Sequence, residues 1–200
     1  GITLNSHILK NFGSIISYFL HPMVVSSFTF WFIIYKTGLS LDNRGFIFFL
    51  SFFFSTALPI ITVLTFIRMN LVKDIDASNR SERLLPMALG ALFFLIGFIF
   101  LRELDSPKIL QGVMFCGIIN TIIVWLITKY WKISIHTVSM TSGIVIFWIL
   151  GYKYITLMSI ILILTIFSRL ITNSHTLSQT IVGAFIGLAS TYTQLVLLFI

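Results

Sequence analysis

The chain has 200 residues, 58% of them hydrophobic and only 10% charged, with a formal net charge of +7. A soluble domain carries about 25% charged residues, so this composition excludes a soluble globular enzyme and describes one integral membrane domain over 1–200. The positive balance suits loops that meet anionic headgroups or anionic substrates, and no interleaved basic and aromatic surface long enough for nucleic acid occurs.

Taken from the N-terminus, Ile8, Phe12, Ile15, Ile16 and Phe19 recur at helical spacing with Lys10, Asn11, Ser14 and Ser17 between them. This predicts an amphipathic interfacial helix over 1–21, and Pro22 then turns the chain inward. Residues 2–20 lack a basic leading region and a small-residue cleavage site, so they do not read as a cleavable signal. Apolar runs follow at Met23–Leu39, Phe46–Ile67 with a kink expected at Pro59, Leu84–Leu101 and Ile109–Ile127. Two shorter runs, Val138–Leu150 and Ile155–Phe167, flank Gly151, and a last run begins at Leu177. The expected fold is all-α: a polytopic transmembrane helical bundle of six to seven spans, the shorter runs beginning beneath the membrane surface. Cys116, the only cysteine, lies inside an apolar run and has no partner for an internal disulfide.

Three short polar clusters sit at the edges of these runs: Lys73 with Arg80, Ser134 with His136, and Ser168-Arg169 with His175. Two spans separate each cluster from the next, so all three emerge on the same side of the membrane. Taken alone, the third cluster reads equally well as a polar interfacial loop, His136 reads better as an interface histidine and the first cluster as a solvated charged loop, because Lys, Arg and His commonly flank spans. Together they supply cations for a phosphate and two imidazoles for proton and phosphoryl transfer. Arg169 offers a planar fork for phosphate oxygens. His175 and Gln179, four residues apart, share a helix face, so the Gln carbonyl can orient one ring nitrogen and leave the other to attack. His136, at the start of a span, is placed to protonate a leaving alkoxide.

In order and spacing the clusters resemble the membrane-bound type 2 phosphatidic acid phosphatase superfamily, whose pattern is K-x6-R-P, P-S-G-H, then S-R-x5-H-x3-D. Lys73 and Arg80 match the first motif, with Ser81 in place of Pro. Ser134 and His136 match the second, with Ile133 and Ile135 in place of Pro and Gly. Ser168, Arg169 and His175 match the third, with Gln179 in place of Asp. The resemblance covers about residues 70–190, and its variants look like those of a divergent bacterial branch. It implies that His175 is the nucleophile of a phosphohistidine intermediate, His136 the general acid, and Gln179 the residue that orients His175. Lys73, Arg80, Ser134 and Arg169 would bind phosphate, without metal or cofactor. Ile135 adds a side chain where glycine would let backbone N–H groups approach a phosphate, and Gln179 brings no charge to stabilise an imidazolium.

The resemblance implies a lipid phosphatase acting on a polyprenyl diphosphate, phosphatidate or phosphatidylglycerol phosphate type of substrate. Its partners would be that substrate and membrane lipids. A second reading is a catalytically degenerate relative that binds a lipid phosphate or a partner protein. A third is an intramembrane prenyltransferase, for which Asp74 and Asp76 give one Asp-rich cluster. The second cluster that chemistry needs is absent, since no Asp follows Asp105. Of the Lys and Arg residues, eight fall on the motif side and five on the other, which points the motifs to the cytoplasm. Setting aside the three expected phosphate ligands removes the bias, and the family likeness implies the periplasmic face of a bacterial inner membrane.

Overall fold

The computed structural model describes residues 2–75 and 79–200, with side chains from residue 8 onward. It is all-helical, with no strand among the described residues. The helices are α1 (Ile2–Phe19), α2 (Pro22–Lys36), α3 (Arg44–Phe52), α4 (Leu58–Arg68), α5 (Leu84–Glu103), α6 (Lys108–Thr128), α7 (Ile135–Ile149), α8 (Ile155–Ile171) and α9 (Leu177–Leu198). A π-helical turn, Phe53–Ala57, joins α3 to α4. Among the described residues, five helical stretches are long and apolar enough to cross a membrane: Ile8–Lys36, Arg44–Arg68, Ser81–Glu103, Lys108–Thr128 and Leu177–Leu198. Helices α7 and α8, at 15 and 17 residues, are the short ones.

Local chemistry explains the boundaries. His21 takes an extended conformation ahead of Pro22 and its Nδ1 accepts from the Met23 N–H at 3.3 Å, so α1 and α2 are separate helices. Pro59 has no N–H for the Ser55 carbonyl, and the wide π turn lies directly before it. Left-handed Asn70, Asp105 and Asn173 end α4, α5 and α8. Thr176 caps α9 in a reciprocal pairing with Gln179.

Helix α1 is turned with its large apolar side chains outward. Ile8, Phe12, Ile15 and Phe19 are exposed, while Gly13 and Ser17 are buried, Gly13 against Ile171 and Thr172 at the end of α8. Small residues thus make the protein contact and large ones are left for lipid, as expected where lipid is as apolar as the side chains.

Helices α7 and α9 approach each other through backbone. At Gly183 an added Cβ would stand 2.7 Å from the Ser134 carbonyl oxygen, and at Gly187 it would overlap the Val138 carbonyl and the Thr141 hydroxyl. Positions rise together along both helices, so they run parallel and start from the same end of the bundle. The Ser134 N–H donates to the Gln179 carbonyl at 3.3 Å, which fixes that start. Further along the bundle, Asn120 joins α6 to both partners. Its amide donates to Ser142 and Thr191 at 3.1 and 2.9 Å and accepts from Ser190 and Gln194 at 2.6 and 3.1 Å. Polar side chains satisfied across helices in this way suit an apolar surround.

Candidate active site

The helix starts and ends just described bring the second and third polar clusters together. His136, the second residue of α7, Arg169, near the end of α8, and His175, two residues before α9, are 5%, 2% and 7% exposed. All three line one cavity of about 270 Å³. Among the described residues no carboxylate lines it.

His175 Nδ1 lies 3.1 Å from Gln179 Oε1. That same oxygen accepts from the Thr176 N–H at 3.2 Å, which identifies it as the amide carbonyl. A carbonyl oxygen cannot donate, so His175 Nδ1 carries the proton and Nε2 carries the lone pair. Gln179 therefore completes the helix cap and sets the tautomer with one atom. Burial pushes the His175 pKa down to about 3, helped by the nearby charges of Arg83, Arg169 and Lys132 and opposed by the Gln179 bond. The ring is neutral over the physiological range, as a nitrogen nucleophile must be.

His136 is held from α1. Its Nε2 lies 3.3 Å from Ser17 Oγ, and the same hydroxyl accepts a hydrogen bond from Arg169 Nη1. The ring of His21 meets that of His136 edge-on, with centroids 5.1 Å apart. Ser17 and His21 take part in the site although neither belongs to a recognisable cluster. In the sequence Ser17 is one of several serines on an amphipathic face, and nothing there marks it.

The first cluster divides. Lys73 and Arg80 are exposed and do not line the cavity, although Ile75 does. The Lys73 N–H donates to Glu82 Oε2 at 3.0 Å, and Asn79 donates to Glu82 Oε1 at 3.1 Å, so Glu82 organises the loop. Asp76 lies outside the described residues. The cation that enters the cavity from this segment is Arg83, 3% exposed, whose Nη1 donates to the Ile133 carbonyl at 3.3 Å. Arg83 closes the short 3-10 turn Ser81–Arg83 that leads into α5. Its signal in the sequence was position, since it is the last charged residue before an apolar run with Pro86 in its first turn.

Ser134 is fully buried and caps α7, accepting from the Thr137 N–H at 3.4 Å. It is absent from the cavity wall, whereas Ile135 is part of it. Among the described residues no three His, Cys, Asp or Glu side chains gather where they could hold a metal. Comparison of the chain with protein-family models, with curated proteins and with solved structures finds no match.

Proposed function

We propose that the protein is a membrane-embedded lipid phosphatase that works through a phosphohistidine on His175. The observation that carries this reading is the neutral His175, fixed in one tautomer, sharing an anion-receptive cavity with His136, Arg83 and Arg169. The likeness of the three motifs to the type 2 phosphatidic acid phosphatase superfamily agrees with it. In this reading α2 and the other long helical stretches cross the bilayer, α1 lies along its surface, and α7 and α8 begin below that surface. The site then faces one side of the membrane, the periplasmic side in the bacterial setting that the motif variants suggest.

The chemistry follows from the donors. Arg83 and Arg169 hold the phosphate oxygens through charge-assisted bonds. His175 Nε2 attacks phosphorus, the bond from phosphorus to the lipid oxygen breaks, and His136 gives that oxygen a proton. Water then attacks the phosphohistidine, the P–N bond breaks, and His136 takes the water's proton. Inorganic phosphate leaves and both imidazoles return to their starting state. Lys73 and Arg80 lie on the loop that includes the cavity-lining Ile75, where they act on the headgroup beyond the phosphate or on its approach.

The test is phosphate release by purified protein from a panel of lipid phosphates and diphosphates, with His175→Ala as control. Release that the substitution abolishes, together with acid-labile phosphate incorporated only into the wild type, is expected. A folded wild-type protein that binds the lipids and releases nothing would leave the degenerate binder as the better account.

A further inference from the structure

The cavity does not end at the phosphate ligands. It continues between helices as a slot whose walls are single helix faces. On α7 the wall runs from Ile135 to Ile146, and on α6 from Val113 to Val124, both at helical three-four spacing. At 1.5 Å per residue each face is about 16 Å long. The hydrocarbon core of a bilayer is about 30 Å thick, so one leaflet's chains occupy about 15 Å. The slot therefore matches a lipid chain of one leaflet in length. The whole cavity, head region and slot together, is about 270 Å³, which leaves room beneath the head for no more than one narrow chain.

Two further observations set what fits. The charges at the mouth are cationic, with Arg83 and Arg169 beside the histidines, and beyond them the walls are mainly apolar. An anionic head on a hydrocarbon chain complements both ends. Along α5 the wall carries Gly90, where an added Cβ would meet nothing within 4 Å. Gly90 lies seven residues past Arg83, about 10 Å deeper. Glycine in a helix interior weakens the helix relative to alanine, and here it leaves room in the slot.

Resting on the phosphatase reading for the head, we infer that the occupant's chain enters this slot inside the bundle, one chain per site, and that Gly90 sets how far a chain can pass. The preferred substrate class is a lipid phosphate that presents one extended chain of leaflet length.

The experiment measures binding of dodecyl phosphate and ethyl phosphate to the protein in phosphatidylcholine nanodiscs, for wild type, Gly90→Leu and Gly45→Leu. Gly45 is an exposed glycine of α3 with open space around it and no part in the slot. A dodecyl chain reaches past Gly90 and an ethyl group does not. Gly90→Leu should lower the ratio of dodecyl to ethyl affinity by about tenfold, because the leucine side chain stands in the path the dodecyl chain must take when its head is bound. Gly45→Leu should leave that ratio within about twofold, since no wall atom changes. An unchanged ratio in Gly90→Leu would place the chain outside the bundle and overturn the inference, even if the wild type releases phosphate. A lowered ratio without phosphate release from any substrate would sustain the slot and overturn the phosphatase. A wild type that binds neither compound would overturn both.

Discussion

At the scale of residues the decisive distinction is between Arg80 and Arg83, three positions apart. Arg80 has the spacing of the family motif, and Arg83 has the burial and the cavity. Removing a buried donor from a phosphoryl-transfer site costs about 10² to 10³ in rate, whereas an exposed charge contributes little. Arg83→Ala should therefore lower kcat/KM by about two orders of magnitude, and Arg80→Ala by less than about fivefold. Assays with a short soluble phosphate monoester check this, and a larger loss for Arg80→Ala would return the phosphate to the loop. The titration of His175 yields a second expectation. Its pKa near 3 places the acid limb of kcat/KM from this residue well below the ordinary histidine range. In the proposed reaction bound phosphate pairs with Arg83 and Arg169 and relieves their repulsion of an imidazolium, so the acid limb of kcat should lie at higher pH than that of kcat/KM. Coincident limbs would count against the two arginines as phosphate ligands. The same shift acts on stability. An unfolded histidine binds its proton near pH 6.5 and the folded one only near 3, so this contribution is present above 6.5 and is lost as pH falls towards 3.

At the scale of elements the parallel contact of α7 with α9 sets the distance between His136 and His175. Gly183 and Gly187 let the helices touch through backbone. Replacing Gly187 by Leu drives a side chain into the Val138 carbonyl, and overpacking of this kind costs about 1–3 kcal/mol. Gly187→Leu should lower the thermal unfolding midpoint in detergent and reduce turnover at the same time. An unchanged midpoint would mean that the helices separate freely there. The breaks at Pro22 and Pro59 were legible because their causes are local, each within four residues of what it controls. The apolar stripe of α1 was legible as a face for lipid, but what its opposite side meets was not, because that depends on the fit of Gly13 and Ser17 against distant neighbours.

For the whole molecule, hydropathy carried most of the architecture. The apolar runs and the observed helices agree closely, from Leu84–Glu103 to Leu177–Leu198, because each run must satisfy its own backbone in lipid. The convergence of His136, Arg169 and His175 was legible as an even number of runs between motifs. What stayed hidden was long-range: Ser17 reaching His136 across 119 positions, and Arg83 reaching Ile133 across 50. No spacing rule relates residues that meet only after the bundle closes. Lysines at helix ends sit over tryptophans, Lys129 on Trp125 at 3.7 Å and Lys36 on Trp31 and Lys153 on Trp148 at 5.4 Å, as at headgroup level.

The slot beneath the arginines also bears on the direction of turnover. A chain passing from bilayer to slot exchanges one apolar surround for another, so the tail adds little net pull in either sense. The charged head then supplies nearly all the difference between arriving and departing lipid. In the proposed reaction, once phosphorus has moved to His175, the remaining alcohol has no anion for Arg83 or Arg169 to hold, and its chain can slide back into the leaflet it came from. Such an arrangement empties itself after each cycle, and its residence time is governed by the headgroup chemistry more than by the length of what lies below.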